Sequence, residues 1–456
     1  MKSGFPLFTL LLILFQVSCS DALTNQSVAK TGQTGIISSK LGIDEIMSMV
    51  SNNHNHTKGE TVSVEPVLEG EDTVLYLVNY AQGWSVMPAD RRLPINLIAS
   101  DNGSISKEEL FANESMEDYV RTMMKEIQHM VSNPVDMTEI LPDCTKASNT
   151  PPMTFYDENG VWWAYAYKYV ASSSVNRQQL PLVRTKWGQS YPWNVNTPYT
   201  SSARTSHCPT GCTNVAVAQL LYYLHNKTGN PDKSYLSFYT DSFYCEPADT
   251  NDGHILSSNE ISYTTLADCW DEMPLNRSSA SVSGAQLVSS LMVHLGYLFE
   301  SGYTPSGTAT YRAKVQPMLY SALSVSSTFT NYDPDIMVSQ IYSSKMPVVL
   351  FMSRLNPDNP DQLLGHAFLA DGYRKTTETY TYVYKTMDDS STTYKEIENA
   401  EVHVNEYVSL NWGYNGSGDV NDQGGVIWYN LDSDFSYQSS TGAIVYDRNK
   451  SMLYVN

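Results

Sequence analysis

Apolar and polar residues alternate along the first part of the chain, and a helical pattern follows them. Alternation typical of strands occurs at 61–66, 73–79, 83–88 and 96–100. Over residues 107–131, apolar residues such as Met116, Val120 and Met123 recur at the three- and four-residue steps of an amphipathic helix. Pro134 follows this segment and ends the helix. The pattern predicts a small domain of strands and then a helix.

The second half of the chain has helical patterns first and strand patterns after them. Helices are predicted at 215–224 and 284–298. Strands are predicted at 346–351, 366–373, 380–384, 407–412 and 425–430. Helices followed by an antiparallel sheet indicate an α+β fold. We therefore expect one large α+β domain from about residue 180.

Between these two regions, residues 134–179 have the composition of a linker. The run Ser172, Ser173 and Ser174 is small and polar, which is typical of exposed chain that proteases cut. The sequence therefore predicts a cleavage site between about residues 170 and 180.

The composition limits the classes of function. The chain has 456 residues, of which 41% are hydrophobic and 17% charged, so it can form two or three folded domains. Its formal net charge is −20, and no cluster of Lys and Arg is evident. Because contacts to phosphate need such clusters, we expect no nucleic-acid partner.

Residues 1–19 have the pattern of an export signal. Lys2 precedes a mostly apolar run at 5–17, which is too short to span a bilayer. The segment ending in Cys19 resembles a lipoprotein cleavage box, whose cysteine is lipidated; ordinary cleavage near 20–22 is the alternative. We expect an exported protein, secreted or at the cell surface, with membrane attachment only through a lipidated Cys19.

The chain has six cysteines but no CxxC pair. Cys208 and Cys212 lie close in sequence, yet no second pair follows at the spacing of a zinc site. An HExxH motif is also absent from the sequence. We expect neither a metal ion nor an organic cofactor.

Cys212 precedes an apolar segment that we expect to be a buried helix. We expect Thr210 to cap this helix, since its hydroxyl can accept a free amide of the first turn. Gly211 would let a substrate backbone approach closely. The positive end of a helix favours a thiolate, which is the nucleophilic form of cysteine. The alternative is that Cys212 is merely a small buried side chain.

A nucleophilic cysteine needs a base, and His366 is the best candidate. It follows Gly365 and opens an apolar strand, so it can reach into a cleft. Asn411 could orient its imidazole, and Trp412 could shield that contact from water. Gln189 could donate to an oxyanion together with the backbone amide of Cys212. Taken singly, such a histidine is more often a core residue, and Gln189 alone would be read as a surface glutamine.

Five collinear motifs together resemble the streptopain family of cysteine peptidases, a papain-like clan. They are Trp187 to Asn194, Gly211-Cys212 with the helix after it, Leu291 to Gly307, Gly365 to Phe368 with Asp371-Gly372, and Asn411 to Gly413. Residues 76–103 resemble the propeptide of that family. Asn214, Val217 and Tyr414 depart from the family pattern, which leaves the specificity open.

The resemblance implies Cys212 as nucleophile, His366 as base, Gln189 in the oxyanion hole, and Asn411 and Trp412 as supports of His366. It implies a signal at 1–19, a propeptide and linker at 20–179, and a papain-like peptidase domain at 180–456. The expected partners are protein or peptide substrates and the protein's own inhibitory propeptide.

Two other functions are compatible with a papain-like fold. One is another acyl transfer, as in a transglutaminase or a cell-wall amidase. The other is an adhesin that has lost its catalytic activity.

Overall fold

The structure is a computed structural model that describes most of the chain after residue 37. The described residues are 38–51, 63–111, 114–134, 154–200, 205–227, 243–245, 259–261, 270–356, 359–386, 393–419, 425–431 and 448–456. The predicted signal and Cys19 lie outside them.

The helices of the described residues lie in both halves of the chain. They are α1 Ile43–Ser51, α2 Lys107–Leu110, α3 Glu114–Ser132, α4 Cys212–Asn226, α5 Val282–Leu298, α6 Arg312–Leu323 and α7 Pro334–Ser339. A π-helical turn, Gln340–Ser344, continues α7. The helix predicted at 107–131 is thus two helices, α2 and α3.

The strands likewise lie in both halves. They are β1 Ser63–Glu69, β2 Asp72–Asn79, β3 Trp84–Pro88, β4 Ile98–Ser100, β5 Thr154–Tyr156, β6 Trp162–Gln179, β7 Phe243–Cys245, β8 Asn259–Ile261, β9 Gly302–Thr304, β10 Gly307–Ala309, β11 Ser327–Asn331, β12 Val348–Asn356, β13 Asn359–Thr386, β14 Tyr394–Asn411, β15 Ile427–Asn430 and β16 Arg448–Val455.

One large sheet connects the N-terminal region with the rest of the molecule. Its strands follow the order β1-β2-β3-β4-β15-β14-β13-β12-β16-β11, and β6 joins it at β13. These pairs are antiparallel, for example Ala99 of β4 with Trp428 of β15. The combination of helices with an antiparallel sheet confirms the predicted α+β class.

The expectation of a linker at 134–179 is wrong for its second part. Residues 162–179 form β6, which pairs with β13 along most of its length, and Ser173 lies opposite Glu378. The serine run is exposed, as expected, but its backbone belongs to a sheet because β13 offers it a pairing edge. Residues 135–153 lie outside the described residues. The limits of the predicted domains stay a prediction.

Helix α4 lies in the core, as its apolar pattern predicts. It packs against α5, β12 and β13. Residues 213–221 of α4 are all buried, in a cluster that includes Trp187, Trp193 and Trp270. This packing fixes the start of α4 beside the strand that carries His366. In the part of the chain that the structure describes, no helix is long and apolar enough to cross a bilayer.

Candidate active site

Cys212 is the first residue of α4, and Gly211 is the N-cap. Gly211 has a φ of 92°, a conformation that favours glycine, and a Cβ there would lie 3.0 Å from the side chain of Thr308. The prediction of Thr210 as N-cap is wrong. Its hydroxyl is buried and has no hydrogen-bond partner among the described residues, because the chain enters the helix one residue later.

The thiol of Cys212 lies against the strand of the predicted base. The backbone amide of Ala367, the residue after His366, donates toward it. Burial nevertheless raises the pKa of this thiol, and the amides of Ala367 and Thr213 only partly offset that effect. The expected preference for a thiolate is therefore not met in this arrangement. The other free cysteine among the described side chains, Cys208, is fully buried, and burial raises its pKa to about 11.

His366 lies on β13 opposite Met352 of β12, and only 8% of it is exposed. Its Nε2 lies 3.0 Å from the carbonyl oxygen of Trp412, so Nε2 donates to that oxygen. The imidazole also stacks on Trp412, with ring centroids 6.3 Å apart, and on Phe368 at 5.6 Å. The ring of Trp412 thus lies against the imidazole, and its carbonyl engages one ring nitrogen.

Asn411 does not orient His366 in this structure. Its Nδ2 donates to the carbonyl of Thr185 at 2.9 Å, and its Oδ1 accepts from Nε2 of Gln219 at 2.9 Å. Oδ1 also accepts from the amide of Gly413 at 3.2 Å. The expected bond to the imidazole is absent because these three partners use the side chain of Asn411.

Gln189 lies in a half-buried bend beside the start of α4. Its carbonyl accepts from the amide of Thr210 at 2.9 Å, which fixes the bend to the turn before Cys212. The neighbouring Gly188 forms a bridge with Tyr414, which follows Trp412 in the chain after β14. The segment is therefore placed between the start of α4 and the end of β14. The role of the Gln189 side chain stays a prediction.

Two buried polar residues that support this site were not among the predicted site residues. Gln219 is the only polar residue between Val215 and Leu221, and that isolation was a usable signal. The other is Asp419, whose Oδ1 accepts from the amide of Trp412 at 2.8 Å. Burial raises the pKa of Asp419 well above its ordinary value. Its position in a glycine-rich loop gave no comparable signal.

The described residues include no group of three or more His, Cys, Asp or Glu side chains placed to hold a metal ion.

The sequence model of the peptidase C10 family matches residues 187–421. The chain belongs to the peptidase C10 family. As a member of this family it is a cysteine peptidase. The match includes Gln189, Cys212, His366, Asn411 and Trp412, and begins after the predicted domain limit at residue 180.

Among solved structures, the chain is similar to a mutant fragment of prointerpain A from Prevotella intermedia. The two chains share 19% sequence identity with a TM-score of 0.49, over 86% of this chain and 98% of the other. A comparison with curated protein sequences finds no match.

Proposed function

We propose that the protein is a cysteine endopeptidase made as a zymogen, with Cys212 as nucleophile and His366 as base. The observation that supports the proposal is the contact of the Cys212 thiol with the amide of Ala367, because Ala367 is the neighbour of His366 on the same strand. Gln189 and the backbone amide of Cys212 would bind the oxyanion.

The chemistry follows from these groups. His366 takes the proton of the thiol, and the sulfur of Cys212 attacks the carbonyl carbon of the peptide bond. The protonated imidazole then gives its proton to the leaving amine, which leaves a thioester on Cys212. Water hydrolyses the thioester and restores the thiol. Each of these steps needs His366 free to face the sulfur.

We propose further that the N-terminal region, residues 20–179, keeps the enzyme latent. Tyr119 of α3 packs on Trp412, with ring centroids 6.0 Å apart, and edge-on against Tyr429 at 5.6 Å. Trp412 stacks in turn on His366 and holds its Nε2 through the backbone carbonyl. A helix of the N-terminal region thus supports the residue that engages the base.

Contacts along the shared sheet support the same proposal. Strand β4 pairs with β15, and the carboxylate of Asp101 accepts from Arg374 of β13 at 2.7 and 2.8 Å. The amide of Asn430 donates to the carbonyl of Leu97 at 3.0 Å. Cleavage followed by release of residues 20–179 would remove all of these contacts, and Tyr119 with them.

The proposed nucleophile is tested with a matched pair of cysteine variants. Cys212→Ala should abolish hydrolysis of a casein substrate and leave the precursor at full length. Cys208→Ala removes the neighbouring thiol and should keep the activity. Substantial turnover by the Cys212→Ala protein would refute the proposed mechanism.

The same assay distinguishes the two other functions. Release of new amines from casein indicates a peptidase, whereas incorporation of an added amine indicates a transglutaminase. An inactive adhesin would leave Cys212 unreactive toward an epoxysuccinyl probe even after the N-terminal region has been removed.

We also propose that the protein is exported, on the pattern of residues 1–19 alone. Cell fractionation and the mass of the N-terminal peptide test this proposal. A lipid on Cys19 would place the protein at a membrane surface, and a free N-terminus near 20–22 would indicate secretion. A cytoplasmic protein that retains residues 1–19 would contradict it.

A further inference from the structure

Gln219 is a fully buried amide in the middle of an apolar helix. It lies on α4, two turns after Cys212, and has no exposed surface. A buried amide costs free energy unless its donors and acceptor are all used, and an apolar side chain of the same size would pack here without that cost. The residue therefore needs an explanation beyond the filling of the core.

The hydrogen bonds of Gln219 connect three separate segments. Its Oε1 accepts from the hydroxyl of Thr185 at 3.0 Å and from the amide of Trp187 at 3.3 Å. Its Nε2 donates to Oδ1 of Asn411 at 2.9 Å, and Nδ2 of Asn411 lies 3.3 Å from Oε1. Thr185 and Trp187 precede Gln189, whereas Asn411 ends β14.

Each of these segments carries one part of the proposed catalytic site. Helix α4 carries Cys212, residues 185–189 carry Gln189, and residues 411–413 include the carbonyl of Trp412 that engages His366. We infer that Gln219 is a positioning residue that fixes the nucleophile, the oxyanion donor and the support of the base relative to one another. The inference rests on the proposed function.

The pairing of Gln219 with Asn411 also explains why the asparagine does not reach His366. Two amides that exchange hydrogen bonds hold each other in one orientation, and the carbonyl of Thr185 and the amide of Gly413 take the remaining capacity of Asn411. The carbonyl of Trp412 is then presented to the imidazole in place of the Asn411 side chain. In the uncut chain Gln219 thus acts on the base through the backbone of residues 411–412. In the processed enzyme, where His366 faces the sulfur, kcat reports how Gln219 fixes α4 and residues 185–189.

Two substitutions separate positioning from packing. Gln219→Met keeps the volume of the side chain and removes all of its hydrogen bonds. Gln219→Glu keeps the shape and the acceptor oxygen, but an ionised carboxylate cannot donate to Asn411. Burial raises the pKa of a carboxyl group, so the glutamate is neutral, and able to donate, at acidic pH. Gln316→Met is the control, because Gln316 donates only to Ser327 of β11 in the described structure.

The experiment measures kcat and KM on a fluorogenic peptide with enzyme formed from the full-length chains, counting competent sites with an irreversible thiol inhibitor. Gln219→Met should lower kcat on the order of 10²-fold with little change in KM, as misplacement of reacting groups does elsewhere. Gln316→Met should match the wild type. The ratio of the Gln219→Glu kcat to the wild-type kcat should fall as the pH rises, because the glutamate loses the proton that it donates to Asn411. The titration of Cys212, His366 and the other ionisable groups cancels in this ratio, since both proteins share them.

The outcomes separate the two proposals. A wild type that shows no hydrolysis refutes the proposed function. An active wild type with an unchanged kcat in Gln219→Met refutes the role of Gln219. If Gln219→Met fails to fold, Gln219→Glu decides between the two roles. A ratio of the Gln219→Glu kcat to the wild-type kcat that does not depend on pH overturns the inference.

Discussion

Trp412 is the residue through which several parts of the molecule meet at the site. Its amide donates to Asp419 at 2.8 Å, its carbonyl accepts from His366 at 3.0 Å, and its indole nitrogen donates to the hydroxyl of Tyr429 at 3.0 Å. Tyr119 covers the indole ring. A change in any of these contacts should therefore alter how Trp412 contacts His366.

Tyr119→Ala is predicted to weaken latency. The substitution removes the ring that packs on Trp412, so His366 should leave the Trp412 carbonyl more often. We expect Cys212 of the full-length precursor to react faster with an epoxysuccinyl probe, as followed by mass spectrometry.

Tyr119→Phe is the matched control because it keeps the ring in the same place. It should react at a rate close to that of the wild type. Equal rates for the alanine and wild-type precursors would show that this contact has no part in latency.

Gln189→Ala is predicted to lower kcat by roughly 10²-fold, since one preorganised donor to the oxyanion is lost. KM should change much less, because the ground-state carbonyl gains little from that donor. Steady-state kinetics on a peptide substrate give both constants. An unchanged kcat would remove Gln189 from the site.

Asp371→Asn is predicted to change how stability depends on pH. Burial raises the pKa of Asp371 from its ordinary 3.8 to about 7, and its Oδ2 accepts from the amide of Val183 at 3.0 Å. The folded state then binds the proton more tightly than the unfolded state. The contribution of Asp371 to the free energy of unfolding therefore falls as the pH rises from about 4 to 7. Asparagine can accept the same bond without ionising.

The measurement is Tm at pH 5 and pH 8. The increase in Tm of Asp371→Asn over the wild type should be larger at pH 8 than at pH 5. Asp335→Asn, at an exposed position of α7, controls for the loss of one negative charge. A Tm difference for Asp371→Asn that does not vary with pH would contradict the account.

At the scale of elements, β13 connects the site with the N-terminal region. Near its start it carries His366 and pairs with β12, and toward its end it pairs with β6. Removal of the N-terminal region up to residue 179 would leave residues 373–386 of β13 without the partner strand β6, while β14 stays paired on the other edge. Maturation is therefore expected to affect the strand that carries the base.

Backbone pairing of β6 predicts slow hydrogen exchange in the precursor. The amides of residues 163–178 that bond to β13 should be protected, although the side chains at 172–178 are exposed. Hydrogen exchange followed by mass spectrometry tests this, with the same peptides in the denatured chain as the unprotected reference. Exchange in β6 as fast as in the denatured chain would show that the linker interpretation was right.

Much of the fold could be predicted from local sequence. The patterns at 73–79 and 215–224 correspond to β2 and α4, because most side chains of each segment are buried in the core. Residues 162–170 have an aromatic residue at every second position, Trp163, Tyr165, Tyr167 and Tyr169, and this signal for β6 was outweighed by the serines that follow.

The finer features of the site depended on distant parts of the chain. Whether Asn411 reaches His366 depends on Gln219 and Thr185, which are remote in sequence. The pKa of Cys212 depends on burial by elements from both halves of the fold, which a helix-dipole argument does not include. Thr210 failed as a cap because Gly211 adopts a positive φ.

At the scale of the whole molecule, the N-terminal region and the matched peptidase region share one sheet. Strands β1 to β4 extend it at β15, and β6 extends it at β13. The N-terminal region is thus hydrogen-bonded to the rest of the fold at two places, through β4 to β15 and through β6 to β13. Separation of the two parts should therefore need cleavage of the chain and not only a local movement.

The most direct test of the account measures peptide hydrolysis by the full-length chain as it is processed. The initial rate, extrapolated to no cleavage, should be close to that of Cys212→Ala, and activity should then rise in proportion to the fraction cut. N-terminal sequencing of the active product should place the cut before residue 187, where the matched peptidase region begins. A full-length, uncut chain that hydrolyses peptides as fast as the processed enzyme would contradict the proposal that residues 20–179 hold His366 and Cys212 in a latent arrangement.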